Sequence, residues 1–232
     1  LGRPEVLKVL QSQDMLPAIT FIFSRAGCDG ALYQCLRSRM VLTSQEEAQQ
    51  IKDIVDAGVE GIPEEDLQVL DFKRWREALS RGFAAHHAGM LPAFRHIVED
   101  LFVRGLVRAV FATETLALGI NMPARTVVLE KLIKFNGEAH VDLTPGQYTQ
   151  LTGRAGRRGI DTLGNAVVQW APAMDPRQVA GLASTRTYPL ISTFAPGYNM
   201  AINLLGMLGF EDSLRLLEKS FAQFQADGSV VE

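Results

Sequence analysis

Apolar positions along this chain come in two textures. Short continuous runs rich in β-branched residues read as strands buried on both faces, and longer stretches with apolar residues three or four apart read as amphipathic helices. The first texture is clearest at Ala18 to Phe23, AITFIF, and recurs at Phe83 to His86, Val107 to Ala112, Thr126 to Glu130 and Gly164 to Trp170. The second fills the intervals. Arg3 to Asp14 carries Val6, Leu7, Val9 and Leu10 on one side, and Leu32 and Leu36 share a face of a helix predicted over Ala26 to Arg37. Thr43 and Glu46 have the spacing of a capping box that opens a polar helix ending near Gly58. Pro63, tolerated in a first turn, begins a helix whose face of Leu67, Leu70 and Trp75 runs on to Leu79 before Gly82 ends it. Pro92 begins another, with Ile97, Leu101 and Phe102 inward and Gly105 as its stop.

Strands alternating with helices at this spacing predict an α/β layered domain with a mostly parallel sheet. After Trp170 the texture changes. Ala171 to Pro196 is mixed and contains several prolines, and Tyr198 to Leu208 and Asp212 to Phe224 read as two helices. The chain is expected to divide into the layered domain, 1–170, and a segment, 171–232, holding a linker and the first helices of a further module. Within the layered part, Lys131 to Leu143 has Asn136-Gly137 at its centre, the signal of a type I′ hairpin.

Composition narrows the class. At 47% apolar and 21% charged residues, the 232-residue chain has enough apolar surface for a core and no run near the roughly 18 apolar residues of a membrane span. It opens on Leu1 with no leader, so a cytoplasmic fragment of a longer protein is expected. The net charge of −3 means that any nucleic acid is held by local basic clusters and not by a basic surface. Cys28 and Cys35 fit core thiols better than a disulfide framework or a zinc pair. His86 and His87 have no partner at ligand spacing, so no metal site is expected.

Two blocks carry chemistry. Gln150 to Asp161, QLTGRAGRRGID, presents Arg154, Arg157 and Arg158 among Gly153, Gly156 and Gly159. Arginine supplies a planar, always-charged fork for pairs of oxygens, and the glycines permit close backbone approach, an arrangement suited to gripping phosphate; a solvated basic loop that pairs with acidic neighbours is the plainer reading of the turn alone. Upstream, FATETLALGINMPART, Phe111 to Thr126, delivers Thr113 to a strand end just before a helical turn, where a hydroxyl beside free backbone N–H groups forms a phosphate seat. Thr113 as a simple helix cap is the plainer reading of the same spacing.

With these residues in place, most of Leu16 to Trp170 resembles the second RecA-like domain of the Ski-type (superkiller-like) DExH-box helicases of superfamily two, and among them the actinobacterial HelY group. Ile19 to Arg25 is similar to motif IV, HHAGMLP from His86 to Pro92 to motif IVa, Phe111 to Thr126 to motif V, and Gln150 to Asp161 to motif VI. PLISTFAPGYNMAINLL and LEKSFAQFQAD resemble the entry to the winged-helix region. The resemblance implies that Arg157 is an arginine finger with Arg154 beside it, and that Gly119, Asn121 and Gln150 face the nucleotide. It implies contacts to nucleic-acid phosphates from Ser24, Arg25, Thr113 and the backbone from His87 to Gly89. Relatives carry a strand-splitting hairpin between motifs V and VI, so Phe135, Asn136, Gly137 and Glu138 become the expected tip.

No GxxxxGK[ST] loop and no DExH box occur in the sequence. In the family those elements hold ATP and Mg2+ on the first RecA-like domain, so that domain of the same parent is the expected partner. Single-stranded or partly duplex nucleic acid is the expected track, with RNA favoured over DNA. The alternative is a non-catalytic, helicase-like binding module, against which the intact arginines of motif VI count.

Overall fold

A computed structural model describes residues 1–117, 122–135, 137–172, 174–185, 192, 194–220, 222–224 and 226. The described chain forms two compact units, Leu1–Thr185 and Arg186–Glu232.

In the first unit the elements run α1 (Arg3–Ser12), β1 (Ala18–Phe21), α2 (Arg25–Arg37), α3 (Gln45–Gly58), α4 (Glu64–Val69), α5 (Phe72–Ser80), β2 (Phe83–His86), α6 (Pro92–Val103) and β3 (Ala109–Ala112). A 3-10 turn, Glu114–Ala117, follows, then β4 (Thr126–Leu129), β5 (Ile133–Phe135), β6 (His140–Asp142), α7 (Pro145–Thr152), β7 (Asn165–Val168) and α8 (Pro176–Ser184). Five strands pair in the order β2-β3-β1-β4-β7, every pair parallel. This is the parallel α/β layering expected from the alternation of elements, and the RecA-like layout that the resemblance implies.

Side chains alternate across the pleat, so each strand feeds two cores. Ile19, Phe21, Ala84, Val110, Ala112, Val127 and Leu129 pack with Ile51 and Val55 of α3, Val98 and Leu101 of α6, and Leu151 of α7. Ala18, Phe83, Ala85, Phe111 and Val128 pack with Leu7 and Leu10 of α1 and with Ala31 and Leu32 of α2. Cys28 and Cys35 belong to this second face as free thiols, and burial pushes both up to about 12. They are packing groups and stay protonated at neutral pH.

Four local expectations need correction. The capping box lies one residue later, at Ser44 and Glu47: Glu47 N–H donates to Ser44 Oγ at 3.1 Å and Ser44 N–H donates to Glu47 Oε2 at 2.8 Å. Thr43 instead donates its hydroxyl to the Ser80 carbonyl at 2.6 Å, a tertiary bond that local spacing does not reveal. The single helix expected from Pro63 is split into α4 and α5, because Asp71 takes a left-handed conformation (φ 53°), and Leu70 is exposed. Helix α8 lies in the stretch read as irregular and packs on α7. In the hairpin, Phe135 pairs with His140, so four residues, 136–139, close it in place of a two-residue type I′ turn.

The second unit contains α9, Tyr198–Glu218, interrupted at Gly209 (φ 74°, ψ 178°), so it comprises two helices as expected, joined at Gly209. No described helix is long and apolar enough to cross a membrane.

Replacing Ser44 with Ala should lower stability by about 1 kcal/mol, the worth of a lost N-cap. Chemical denaturation measures this loss, and Glu46→Gln should leave the same midpoint unmoved.

Candidate nucleotide and nucleic-acid interface

Parallel pairing aligns the strand ends. Phe21, His86, Ala112 and Leu129 stand level at the C-terminal edge of the sheet, so the segments that follow them share one rim. Ser24 caps α2 by accepting from Gly27 N–H at 3.1 Å, and Arg25 is exposed with no bonded partner among the described residues. Gly89 lies against that arginine: a Cβ there would come within 3.2 Å of Arg25 Cδ and of His87 Nδ1. A larger residue there would press on both side chains. Thr113 follows β3, its hydroxyl 2.9 Å from that of Thr115, and its carbonyl accepts from Leu116 N–H at 3.1 Å to close the 3-10 turn. Ser24, Arg25, Gly89 and Thr113 therefore lie on three adjacent strand ends, as their proposed common role requires.

The two histidines are not spare ligands. His87 is buried, its Nε2 3.0 Å from Asp29 on α2 and its Nδ1 accepting from Gly89 N–H at 3.2 Å, so its ring shapes the rim from within. His86 Nε2 lies 2.8 Å from Glu99 on α6, and its buried Nδ1 has no partner among the described residues. Burial holds His86 below the ordinary imidazole value; Arg95 and His87 push the same way, and Glu99 opposes them. Among the described residues no group of three or more His, Cys, Asp or Glu side chains is placed to hold a metal.

Strands β5 and β6 extend this rim. A cavity of about 280 Å³ lies between the start of α2 and the hairpin, lined by Ser24, Gly27, Lys131, Lys134, Phe135 and His140 among others. The Phe135 ring is 56% exposed and lies 5.4 Å from the His140 ring. Lys134 Nζ bonds Glu114 at 2.7 Å, tying the hairpin to the 3-10 turn after Thr113. Gly137 has φ 108° and Glu138 is exposed; Asn136 lies outside the described residues.

The arginine turn belongs to the other end of the sheet. Thr144 and Gln147 form a capping box at the start of α7, which delivers Gly153 to Asp161. Ala155 bridges to Ala124, two residues before β4 begins, through Ala124 N–H to the Arg154 carbonyl (2.9 Å) and Gly156 N–H to the Ala124 carbonyl (2.7 Å). Gly164 makes this closeness possible, since a Cβ there would sit 2.6 Å from Ala155 and Gly156 backbone atoms. Arg154 donates to the Ala117 carbonyl. Arg157 grips Asp161 with Nε and Nη2, each at 2.8 Å, and Arg125 bonds the same carboxylate at 2.9 Å. These bonds hold the Asp161 carboxyl well below the usual carboxylate range, with Arg157 as the leading cause. Arg158 is exposed and, among the described residues, unbonded. Gln150, expected on the nucleotide, is exposed on α7 and bonds no part of the turn. Gly119 and Asn121, the other expected nucleotide contacts, lie outside the described residues. Sequence reasoning assigned no role to Asp161 or Arg125, and the only signal was the four-residue spacing of Arg157 and Asp161.

A parallel α/β layer with polar strand ends and a guanidinium-bearing turn is a RecA-like layout. Residues 64–159 match the family described as Helicase conserved C-terminal domain. The chain is 66% identical over 230 residues to the probable helicase HelY of Mycobacterium tuberculosis, covering 99% of this chain and 25% of that protein. It is 35% identical to a DExH-box ATP-dependent RNA helicase of Arabidopsis thaliana (97% of this chain, 23% of that protein). It is also 35% identical to the human exosome RNA helicase MTR4 (95% of this chain, 21% of that protein). The similarity to these helicases is that of a C-terminal helicase domain, and the chain spans about a quarter of the length of these relatives.

The depressed His86 value sets a pH dependence. The folded state keeps this imidazole neutral while the unfolded chain takes up a proton near the ordinary value, so its contribution is full above about pH 6.5 and is lost as pH falls below it. Thermal melting should decline on acidification from about pH 6.5 to 5.5, and His86→Gln, which keeps a donor toward Glu99, should flatten that decline.

Proposed function

We propose that this chain is the second jaw of an ATP-dependent helicase that moves along RNA in preference to DNA. The observation carrying the proposal is one stretch of chain, 113–125. It starts at Thr113 on the strand-end rim and ends at Ala124 and Arg125, which hold the arginine turn; Arg154 bonds Ala117 in between. The arginine turn and the segment that begins at Thr113 are thus joined through Ala117, Ala124 and Arg125.

Arg154, Arg157 and Arg158 suit the terminal phosphate of ATP, because three guanidinium groups on one short turn form an anion-binding cluster. Phosphoryl transfer asks a protein mainly for position and charge neutralisation, and ATP with Mg2+ supplies the scissile bond and its counter-charge. These 232 residues contain neither a phosphate loop nor a DExH box, so turnover belongs to the longer parent, whose first RecA-like domain holds the nucleotide and metal. Arg157 answers that site as the finger. Ser24, Arg25, Gly89 and Thr113 hold sugar-phosphate, which gives grip without sequence preference. The Arabidopsis and human relatives, both named as RNA helicases, support RNA as the track.

In the full-length parent, Arg157→Ala should lower nucleic-acid-stimulated ATP turnover by about a thousandfold or more, leaving single-strand affinity nearly intact. A non-catalytic binding module would show no turnover in the parent before substitution. The hairpin is the wedge at the duplex junction, with exposed Phe135 at its tip. Phe135→Ala with residues 136–139 shortened to a two-residue turn should cut duplex unwinding and spare the stimulated ATPase; equal loss of both activities would assign the hairpin a general structural part.

A further inference from the structure

We propose that Asp161 is a positioning residue for Arg157, holding one edge of its guanidinium so that the opposite edge is presented to the terminal phosphate. The inference rests on the reading of Arg157 as the finger and adds the group that aims it.

An arginine has five N–H donors in a rigid plane. Asp161 takes the Nε–H and one Nη2–H of Arg157, both at 2.8 Å, which occupies one edge of the fork. Among the described residues no acceptor takes the Nη1 hydrogens, and the side chain keeps 22% exposure, so the second edge remains available. A carboxylate that merely stored the arginine away from the cleft would have no reason to leave that edge open.

The holder is itself fixed. The Asp161 side chain is 1% exposed and accepts a third bond from Arg157 N–H at 2.9 Å. Its own N–H donates to the Arg157 carbonyl at 2.9 Å, closing a reciprocal turn that Gly159 (φ 79°) allows. Arg125 then anchors the carboxylate through Nε and reaches Asp14 through Nη1, at 2.6 Å to its carboxylate. A long, rotamer-rich side chain is thereby set in place before any phosphate arrives, which is how binding energy is kept for the transition state. Exposed ion pairs seldom do this; a bidentate pair on a buried carboxylate with a backbone bond does.

The test is steady-state ATPase of the full-length parent with Mg2+ and a single-stranded RNA oligonucleotide. Asp161→Asn should lower kcat on the order of a hundredfold, as a misplaced catalytic group does, with KM for ATP and RNA affinity close to those of the parent. Asp161→Glu, which keeps the charge on a longer stem, should fall between them and decides the matter if the Asn variant does not fold. Arg125→Gln removes the anchor of the carboxylate but not its grip on Arg157, and should lower kcat by less than Asp161→Asn does. In an Arg157→Ala background, Asp161→Asn should cost nothing more in kcat. An unchanged kcat in both Asp161 variants, a raised one, or an Arg125→Gln loss equal to that of Asp161→Asn would each overturn the proposal. If Arg157→Ala itself turns over ATP at the parent rate, the reading of the finger fails first, and the two failures are distinguishable.

Discussion

Strands β1 to β4 are buried along their whole lengths, and that burial dictates where polar chemistry can stand. A hydrogen-bonding side chain within the layer needs a partner there, as His86 has in Glu99 and Thr126 in the Met15 carbonyl. Groups that must stay open to a ligand stand where the backbone leaves the sheet. Because the four strands are parallel and in register, their exits fall along a common rim, and residues far apart in sequence become neighbours there. Ser24, Gly89 and Thr113 meet for this reason. Their proximity follows from the apolar runs that precede them.

A second constraint joins the rim to the opposite end of the sheet. Between the exit of β3 and the entry of β4, Ala117 and Ala124 bond the arginine turn. Gly164 lets the chain entering β7 lie directly against Ala155 and Gly156 of that turn, and the bridge from Ala155 to Ala124 fixes the turn to the strand about to begin. Arg154 on Ala117 and Lys134 on Glu114 then tie the turn and the hairpin to the same four-residue 3-10 segment. Three surfaces with separate proposed tasks thus share one short piece of backbone.

The layered architecture was legible because strand burial and helix periodicity are local properties, visible in AITFIF or in the spacing of Ile97 and Leu101. Contacts made across the fold were not. Thr43 and Ser44 each stand three residues before a glutamate, and local spacing does not choose between the two frames; the Ser80 carbonyl decides by claiming the Thr43 hydroxyl. The break at Asp71 has no glycine or proline to announce it, and its carboxylate is held by Arg74 and by Tyr33, a partner 38 residues away. The arginines could be named from their setting among glycines, but the direction in which each points depends on Asp161, Arg125 and Ala117, groups that carry no signature of their own.

The account stands on Arg157 meeting the nucleotide while Asp161 holds it. A structure of the full-length parent with Mg2+, a non-hydrolysable ATP analogue and single-stranded RNA tests this most directly. The account predicts an Arg157 Nη1 or Nη2 atom at about 3 Å from a terminal-phosphate oxygen, with the Nε edge still on Asp161. An Arg157 directed into solvent in that closed state, or one that has left Asp161 to reach the phosphate, would contradict it.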